Sequence, residues 1–277
     1  MRIGISSALK HDSPREWAEK MVSLGCRSVV FPVDYTEKDS VIADYADEAR
    51  KNDLVIAEVG IWRNVFAVDK TEREEARQRA LAQFRLADEI GADCVVNVAG
   101  TDGGPIWDGG YPGNYTKESW NAIVSYIQGL IDEVKPKRTS YSIEAMPWMY
   151  PTGPDEYLRM MKEVDREAFS CHLDVVNMIN CPERYFFSDE FLEETFDKLG
   201  RYVQSCHLKD IRLREELTFQ LEEVGCGEGT LNIGKYMLLA HKADPDMPMI
   251  IEHLNTDEEY IKSLAYVKNI MDENGII

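Results

Sequence analysis

Short, nearly continuous apolar runs alternate with longer amphipathic stretches along the whole chain. Eight runs have β character: Arg2–Ser6, Ser28–Pro32, Leu54–Gly60, Cys94–Ala99, Tyr141–Ala145, Ser170–Val175, Gln204–Leu208 and Met249–His253. They are rich in Val, Ile and Cys and lack strict alternation, the pattern of parallel strands buried on both faces. Helical periodicity fills the gaps: Pro14–Leu24, Glu37–Lys51, Lys70–Ile90, Lys117–Val134, Pro154–Glu163, Asp189–Leu199, Ile233–His241 and Asp257–Glu273. In the third of these, Ala76, Ala80, Leu81, Phe84, Leu86 and Ala87 mark the inward face, and Gly91 ends it. Ser13-Pro14, Thr116, and Thr256 with Glu259 supply helix-start chemistry. Strand and helix thus alternate eight times, with no Gly/Pro/Ser-rich linker and no internal repeat. The pattern predicts an α/β fold, a single-domain (β/α)₈ TIM barrel over residues 1–277.

Composition narrows the class. Hydrophobic residues make up 44% of the 277 positions, enough for one large core without covalent staples. No apolar run reaches the roughly 20 residues of a membrane span, and the first residues lack a signal-peptide core. The reading is a cytoplasmic protein. Six scattered cysteines with no CxxC pair are expected to be free thiols. The formal charge of −19 argues against nucleic-acid and anionic-membrane partners, because both need a positive footprint.

Active sites of such barrels lie at the C-terminal ends of the strands. Four consecutive predicted strands end in ionisable residues: Glu144 in YSIEAM, Asp174 in CHLDVVN, His207 in SCHLKD and Glu252 in MIIEHL. Each is flanked by residues expected to be buried. One buried carboxylate is costly, and three together repel one another. A divalent cation relieves both penalties, and three oxygens with one imidazole suit Mn²⁺, Mg²⁺ or Co²⁺. Singly, each residue also reads as a salt-bridge partner, an N-cap or a core histidine; the set of four points to a metal.

The segments Ile143-Glu144, His172-Leu173-Asp174, Cys206-His207-Leu208-Lys209-Asp210 and Ile251-Glu252 resemble the xylose-isomerase-like TIM-barrel superfamily. They are most similar to its sugar phosphate isomerase/epimerase and ketose 3-epimerase branch. The stretch Val224-Gly225-Cys226-Gly227-Glu228-Gly229 resembles the Gly-x-Gly loop these proteins carry before the last unit. The resemblance implies that Glu144, Asp174, His207 and Glu252 bind one divalent metal, commonly manganese. It also implies that Glu144 and Glu252 act as an acid/base pair. The chemistry expected is proton abstraction beside a carbonyl through a metal-stabilised enediolate. Which glutamate is the base stays open.

Other residues are candidates for holding substrate. Asn177 stands where several ketose epimerases carry a histidine. Lys209 lies on the His207 face and reads equally as an ion-pair partner of Glu252 or Asp174. His172 shares the Asp174 face and reads as a partner of that site or a deeper core histidine. Arg212 and Arg214 follow. Trp62, Trp107 and Trp148, with Tyr111, Tyr115 and Tyr150, supply stacking faces. The glycine-rich loop Thr101–Thr116 reads as a lid. The leading expectation is an isomerase or epimerase for a small sugar, working as a homo-oligomer. The runner-up is a metal-dependent lyase of the same superfamily, a polyol or inosose dehydratase or a C-glycoside deglycosidase, the last implying a small partner subunit. A non-catalytic sugar-binding module is the remaining alternative.

Overall fold

A computed structural model describes residues 1–276; Ile277, the last residue of the expected domain, lies outside the described residues. Eight parallel strands form one sheet: β1 (Arg2–Ile5), β2 (Ser28–Val30), β3 (Val55–Gly60), β4 (Cys94–Asn97), β5 (Ser140–Glu144), β6 (Phe169–Leu173), β7 (Val203–Leu208) and β10 (Pro248–Ile251). Their order is β1-β10-β7-β6-β5-β4-β3-β2. The two ends of the sheet approach each other where Arg27 N–H donates to the Ile3 carbonyl at 2.8 Å. Gly4 permits this contact, since a Cβ there would stand 2.1 Å from the Ser28 carbonyl oxygen. The barrel is thereby nearly closed, as the alternating pattern predicts.

Major helices follow the strands in the expected order: α1 (Pro14–Leu24), α2 (Asp39–Lys51), α3 (Lys70–Ile90), α4 (Lys117–Val134), α5 (Pro154–Val164), α8 (Ser188–Leu199), α9 (Ile233–Ala243) and α10 (Asp257–Asn274). Helix α10 starts with a full capping box between Thr256 and Glu259, and α3 stops at Gly91 in the left-handed region. The buried face of α3 is the one its sequence marks, with Ala80, Phe84 and Ala87 fully covered. Among the described residues no helix is long and apolar enough to cross a membrane. All six cysteines are free, and all but Cys181 are buried.

Several short elements go beyond the sequence pattern. The short helices α6 (Val175–Met178) and α7 (Pro182–Phe186) follow β6. An antiparallel hairpin, β8 (Asp210–Leu213) and β9 (Leu221–Val224), extends from the end of β7. The Asp210 carboxylate anchors its base, accepting backbone N–H bonds from Ile211, Gly227, Gly229 and Leu231 at 2.8–3.1 Å. A Cβ at Gly229 would lie 2.2 Å from Asp210 Oδ1, so the loop's glycine is needed for this grip.

Bulky aliphatic side chains commonly fill the interior of such a barrel. Here small polar residues occupy much of it. Ser140, Ser142, Ser170 and Ser205 are buried. Ser170 Oγ contacts Ser140 Oγ at 2.5 Å and Ser142 Oγ at 2.6 Å, while Ser205 Oγ contacts Cys94 Sγ at 3.4 Å. These groups satisfy one another, as buried hydroxyls must. Two tyrosines brace the strand ends from outside. Tyr157 OH donates to the Ile143 and Ser170 carbonyls, and Tyr236 OH to those of Leu173 and His207.

Candidate metal centre

Glu144 ends β5 and His207 lies near the end of β7. Asp174 follows β6 directly and caps α6, its Oδ1 accepting the Asn177 N–H at 3.0 Å. Strand β10 stops at Ile251, so Glu252 sits just past it. Strand register explains how they meet. Glu144 pairs with His172, and His207 pairs with Ile250, so Asp174 and Glu252 each stand two residues beyond the position level with their neighbour. Barrel strands are tilted and staggered, and the offset brings these residues to one height on the axis.

The four side chains are buried, and one donor atom from each lies within 4.8 Å of the others. His207 Nδ1 stands 2.9 Å from Glu252 Oε1, 3.4 Å from Glu144 Oε1 and 3.7 Å from Asp174 Oδ2. Lys209 is also buried, 2.7 Å from Asp174 Oδ2 and 2.9 Å from Glu252 Oε1. Of its two sequence readings, the structure shows the ion pair. Asn177 Nδ2 donates to Glu144 Oε1 at 2.9 Å.

The electrostatics separate the acids. Burial raises the Glu144 carboxyl to about 7, partly offset by His207. Burial acts the same way on Glu252, but His207 and Lys209 outweigh it and bring the carboxyl to about 2. Asp174 is likewise held well below the usual carboxylate range by Lys209 and His207 against its burial. His207 is raised far above an ordinary imidazole despite its burial, because Glu252, Glu144 and Glu58 surround it.

The residues present fit a divalent ion. The donors are hard oxygens and one imidazole nitrogen, and three buried carboxylates crowd a single imidazole and a single ammonium, so one donor atom from each of the four residues converges on one point. A second buried group lies one layer deeper: Glu58, His172 and His207. Glu58 on β3 had no place in the sequence-derived set. Its signal was a charged residue inside the apolar run VIAEVG, with partners more than a hundred positions away.

Above the cluster opens a cavity of about 510 Å³. Met146, Trp148, Ile179, Ile211, Phe219 and Leu221 give it an apolar wall, and Asn177, Glu223 and His253 its polar end. The hairpin β8–β9, absent from the sequence reading, supplies one side. Glu223 Oε2 contacts His253 Nδ1 at 2.9 Å, and His253 Nε2 lies 3.5 Å from Glu252 Oε2.

The other candidate residues are dispersed. Trp62 lies over Gly60 and lines a separate cavity with Phe31, Asp34 and Arg79. Trp107 packs partly buried against the core and does not line the cavity above the cluster. Arg212 pairs with Glu222 at 3.1 Å and faces a different cavity with Glu228 and Lys262. The loop 101–116 is pinned at several points: Thr101 N–H donates to Asn64 Oδ1, Asn114 to the Trp148 carbonyl, and Tyr115 OH to that of Pro147.

The chain belongs to the xylose isomerase-like TIM barrel family, whose sequence model matches residues 18–270. No curated protein matches it by sequence. Among solved structures, a xylose isomerase-like TIM barrel protein from Mycobacterium smegmatis, in complex with magnesium, superposes with a TM-score of 0.72 at 18% identity, covering 99% of this chain and 97% of that one. A D-psicose 3-epimerase solved in the presence of D-fructose gives 0.70 at 15% identity, covering 98% and 99%. The 3-keto-D-glucoside 4-epimerase of E. coli gives 0.69 at 14% identity, covering 97% and 99%. At these identities the likeness establishes a shared fold.

Proposed function

We propose that this protein is a divalent-metal-dependent sugar isomerase or epimerase, acting by proton transfer at a carbon beside a carbonyl. The observation that carries the reading is the convergence of Glu144, Asp174, His207 and Glu252 at one buried point of the C-terminal rim. These four would hold one ion, Mn²⁺ by preference, with Mg²⁺ or Co²⁺ as alternatives. When bound, the ion supplies positive charge that offsets the anion produced as a carbon-bound proton leaves.

The rest of the work falls to the protein. Glu144 Oε1 is committed to His207 and Asn177, and Glu252 Oε1 to His207 and Lys209. The Oε2 of each glutamate is the one for proton transfer, that of Glu252 beside His253 Nε2 at 3.5 Å. Rising from β5 and from beyond β10, the two carboxyls address different faces of a substrate; one takes a proton, the other returns one, and a stereocentre inverts. Asn177 and Trp148 position the sugar from the cavity wall. Among the described residues lining that cavity, the only ionisable ones are Glu223 and His253, which pair with each other. A neutral, unphosphorylated substrate fits this lining.

The apolar wall favours one second reading. A hydrophobic group attached to the sugar would rest on Met146, Ile211 and Phe219, and the same proton abstraction would then lead to elimination, as in a lyase. Incubation with ketoses, polyols and glycosides in D₂O separates the two. Deuterium next to the carbonyl without loss of mass supports isomerisation; release of water or an aglycone supports elimination. About one divalent ion per chain is expected after growth with manganese, and none would refute the metal centre. The reading takes residues 1–277 as one catalytic domain, cytoplasmic and homo-oligomeric, the last checked by light scattering.

A further inference from the structure

An imidazole can give a lone pair to a cation from only one nitrogen, and its other nitrogen then carries the proton. For His207 the nitrogen facing the carboxylate cluster is Nδ1, 2.9 Å from Glu252 Oε1 and 3.4 Å from Glu144 Oε1. Its Nε2 points the other way, into the barrel, and has no hydrogen-bond partner. Facing it at 3.4 Å is Glu58 Oε2, itself a buried oxygen without a hydrogen bond. An unmatched donor thus faces an unmatched acceptor, and a shift of about half an ångström closes them into a charge-assisted hydrogen bond.

Glu58 reaches this place from β3, which pairs with β2 and β4 and is not a neighbour of β7 in the sheet. Its side chain therefore crosses the barrel interior. His172 restrains it, with Nδ1 at 3.4 Å from the same Oε2 and bonded to Ser205 Oγ. No lysine or arginine pairs with Glu58 among the described contacts, so its buried charge is balanced by imidazole alone. Such an arrangement is costly unless the carboxylate is hydrogen-bonded to the imidazoles that face it.

We propose that Glu58 is a positioning residue: it accepts the Nε2 proton of His207 and so turns the Nδ1 lone pair toward Glu144, Asp174 and Glu252. The inference rests on the metal-centre reading. A carboxylate behind a metal-bound histidine fixes its tautomer and raises its basicity, and its loss typically weakens metal binding about 10–100-fold.

The test is calorimetric titration of Mn²⁺ into chelator-treated full-length protein, wild type and Glu58→Gln. This variant keeps the shape and removes the charge. The expected result is one site in both, with Kd weaker by about 10–100-fold in the variant. Equal Kd in a folded Glu58→Gln protein overturns the proposal and leaves the metal centre standing. No binding by the wild type overturns both. Two ions per wild-type chain, falling to one in the variant, would make Glu58 a ligand and also overturn it. The tautomer is read independently of any substitution, from long-range ¹⁵N–¹H NMR of the Mg²⁺-loaded wild type. A His207 Nε2 proton shifted far downfield, as in a strong hydrogen bond to a carboxylate, supports the proposal; an Nε2 proton at the position of an unbonded imidazole, or protonation at Nδ1, overturns it, and this result decides should Glu58→Gln not fold.

Discussion

Both ends of the barrel carry acidic residues, and they treat them in opposite ways. At the N-terminal end, Asp53 and Asp246 are exposed and share Arg2 at 3.0 and 3.3 Å. Asp93, just ahead of β4, is lifted to about 7 by burial and by nearby Asp244. At the C-terminal end, Glu144, Asp174 and Glu252 are buried around one imidazole and one ammonium. Exposed pairs contribute little to stability, whereas an unmatched buried charge costs several kcal/mol. Charge at the first end is therefore a dispensable trim on the fold. At the second it is held in an expensive arrangement that stability alone would not select, the division between rims expected of a barrel enzyme.

The comparison can be broken most sharply at the glutamates. Glu144→Gln and Glu252→Gln should each lower turnover by about 10²–10⁴-fold with the circular dichroism spectrum unchanged. Full activity in either would remove that residue from the acid/base pair. Next in size is Lys209→Met, which strands Asp174 and Glu252 without their cation. Metal-free variant protein should lose about 3–5 kcal/mol in urea unfolding, and saturating Mn²⁺ should restore much of it. Equal stability of variant and wild type without metal would show that the carboxylates do not depend on that ammonium.

At the opposite rim the effects are smaller and leave turnover unchanged. Asp93 binds its proton more tightly in the folded chain than in the unfolded one. Stability therefore falls as pH rises from about 4, the unfolded value, to about 7, the folded one. Asp93→Asn removes this cost and should stabilise by about 1 kcal/mol at pH 8, a figure discounted for partial exposure, with the gain vanishing below pH 4. Thermal midpoints at the two pH values check the sign, and a variant less stable at pH 8 would refute it. Arg2→Ala should cost at most about 1 kcal/mol, less at high salt. A greater loss would mean that this end, too, depends on its charges.

The frame of the molecule was legible because it is written in local patterns. Burial on both faces makes parallel strands uniformly apolar, and Thr256, Thr116 and Gly91 mark helix ends through side chains or backbone freedom within a few residues. Glu144, Asp174, His207 and Glu252 stood out for the converse reason, as ionisable groups where apolar ones were expected. What depends on tertiary placement was not legible. The offset register that brings Asp174 level with its partners has no local signature. Hairpin β8–β9 is mostly half-exposed and polar, so Arg212 reads as loop when it is paired to Glu222 across the ladder. Glu58 is one charge in an apolar strand until the barrel closes and His207 arrives from β7.

Asp210 has a wider consequence. By drawing three amides from the returning chain, and that of Ile211 beside it, onto one carboxylate, it ties a knot at the foot of the hairpin, three residues after His207. The tip of the hairpin, from Arg214 to Gln220, can then vary in length across evolutionary time without disturbing what lies below the knot, while Glu223 stays tied to Lys209 and His253. The strands and their rim would stay in place while the wall that the hairpin lends to the cavity changes its reach.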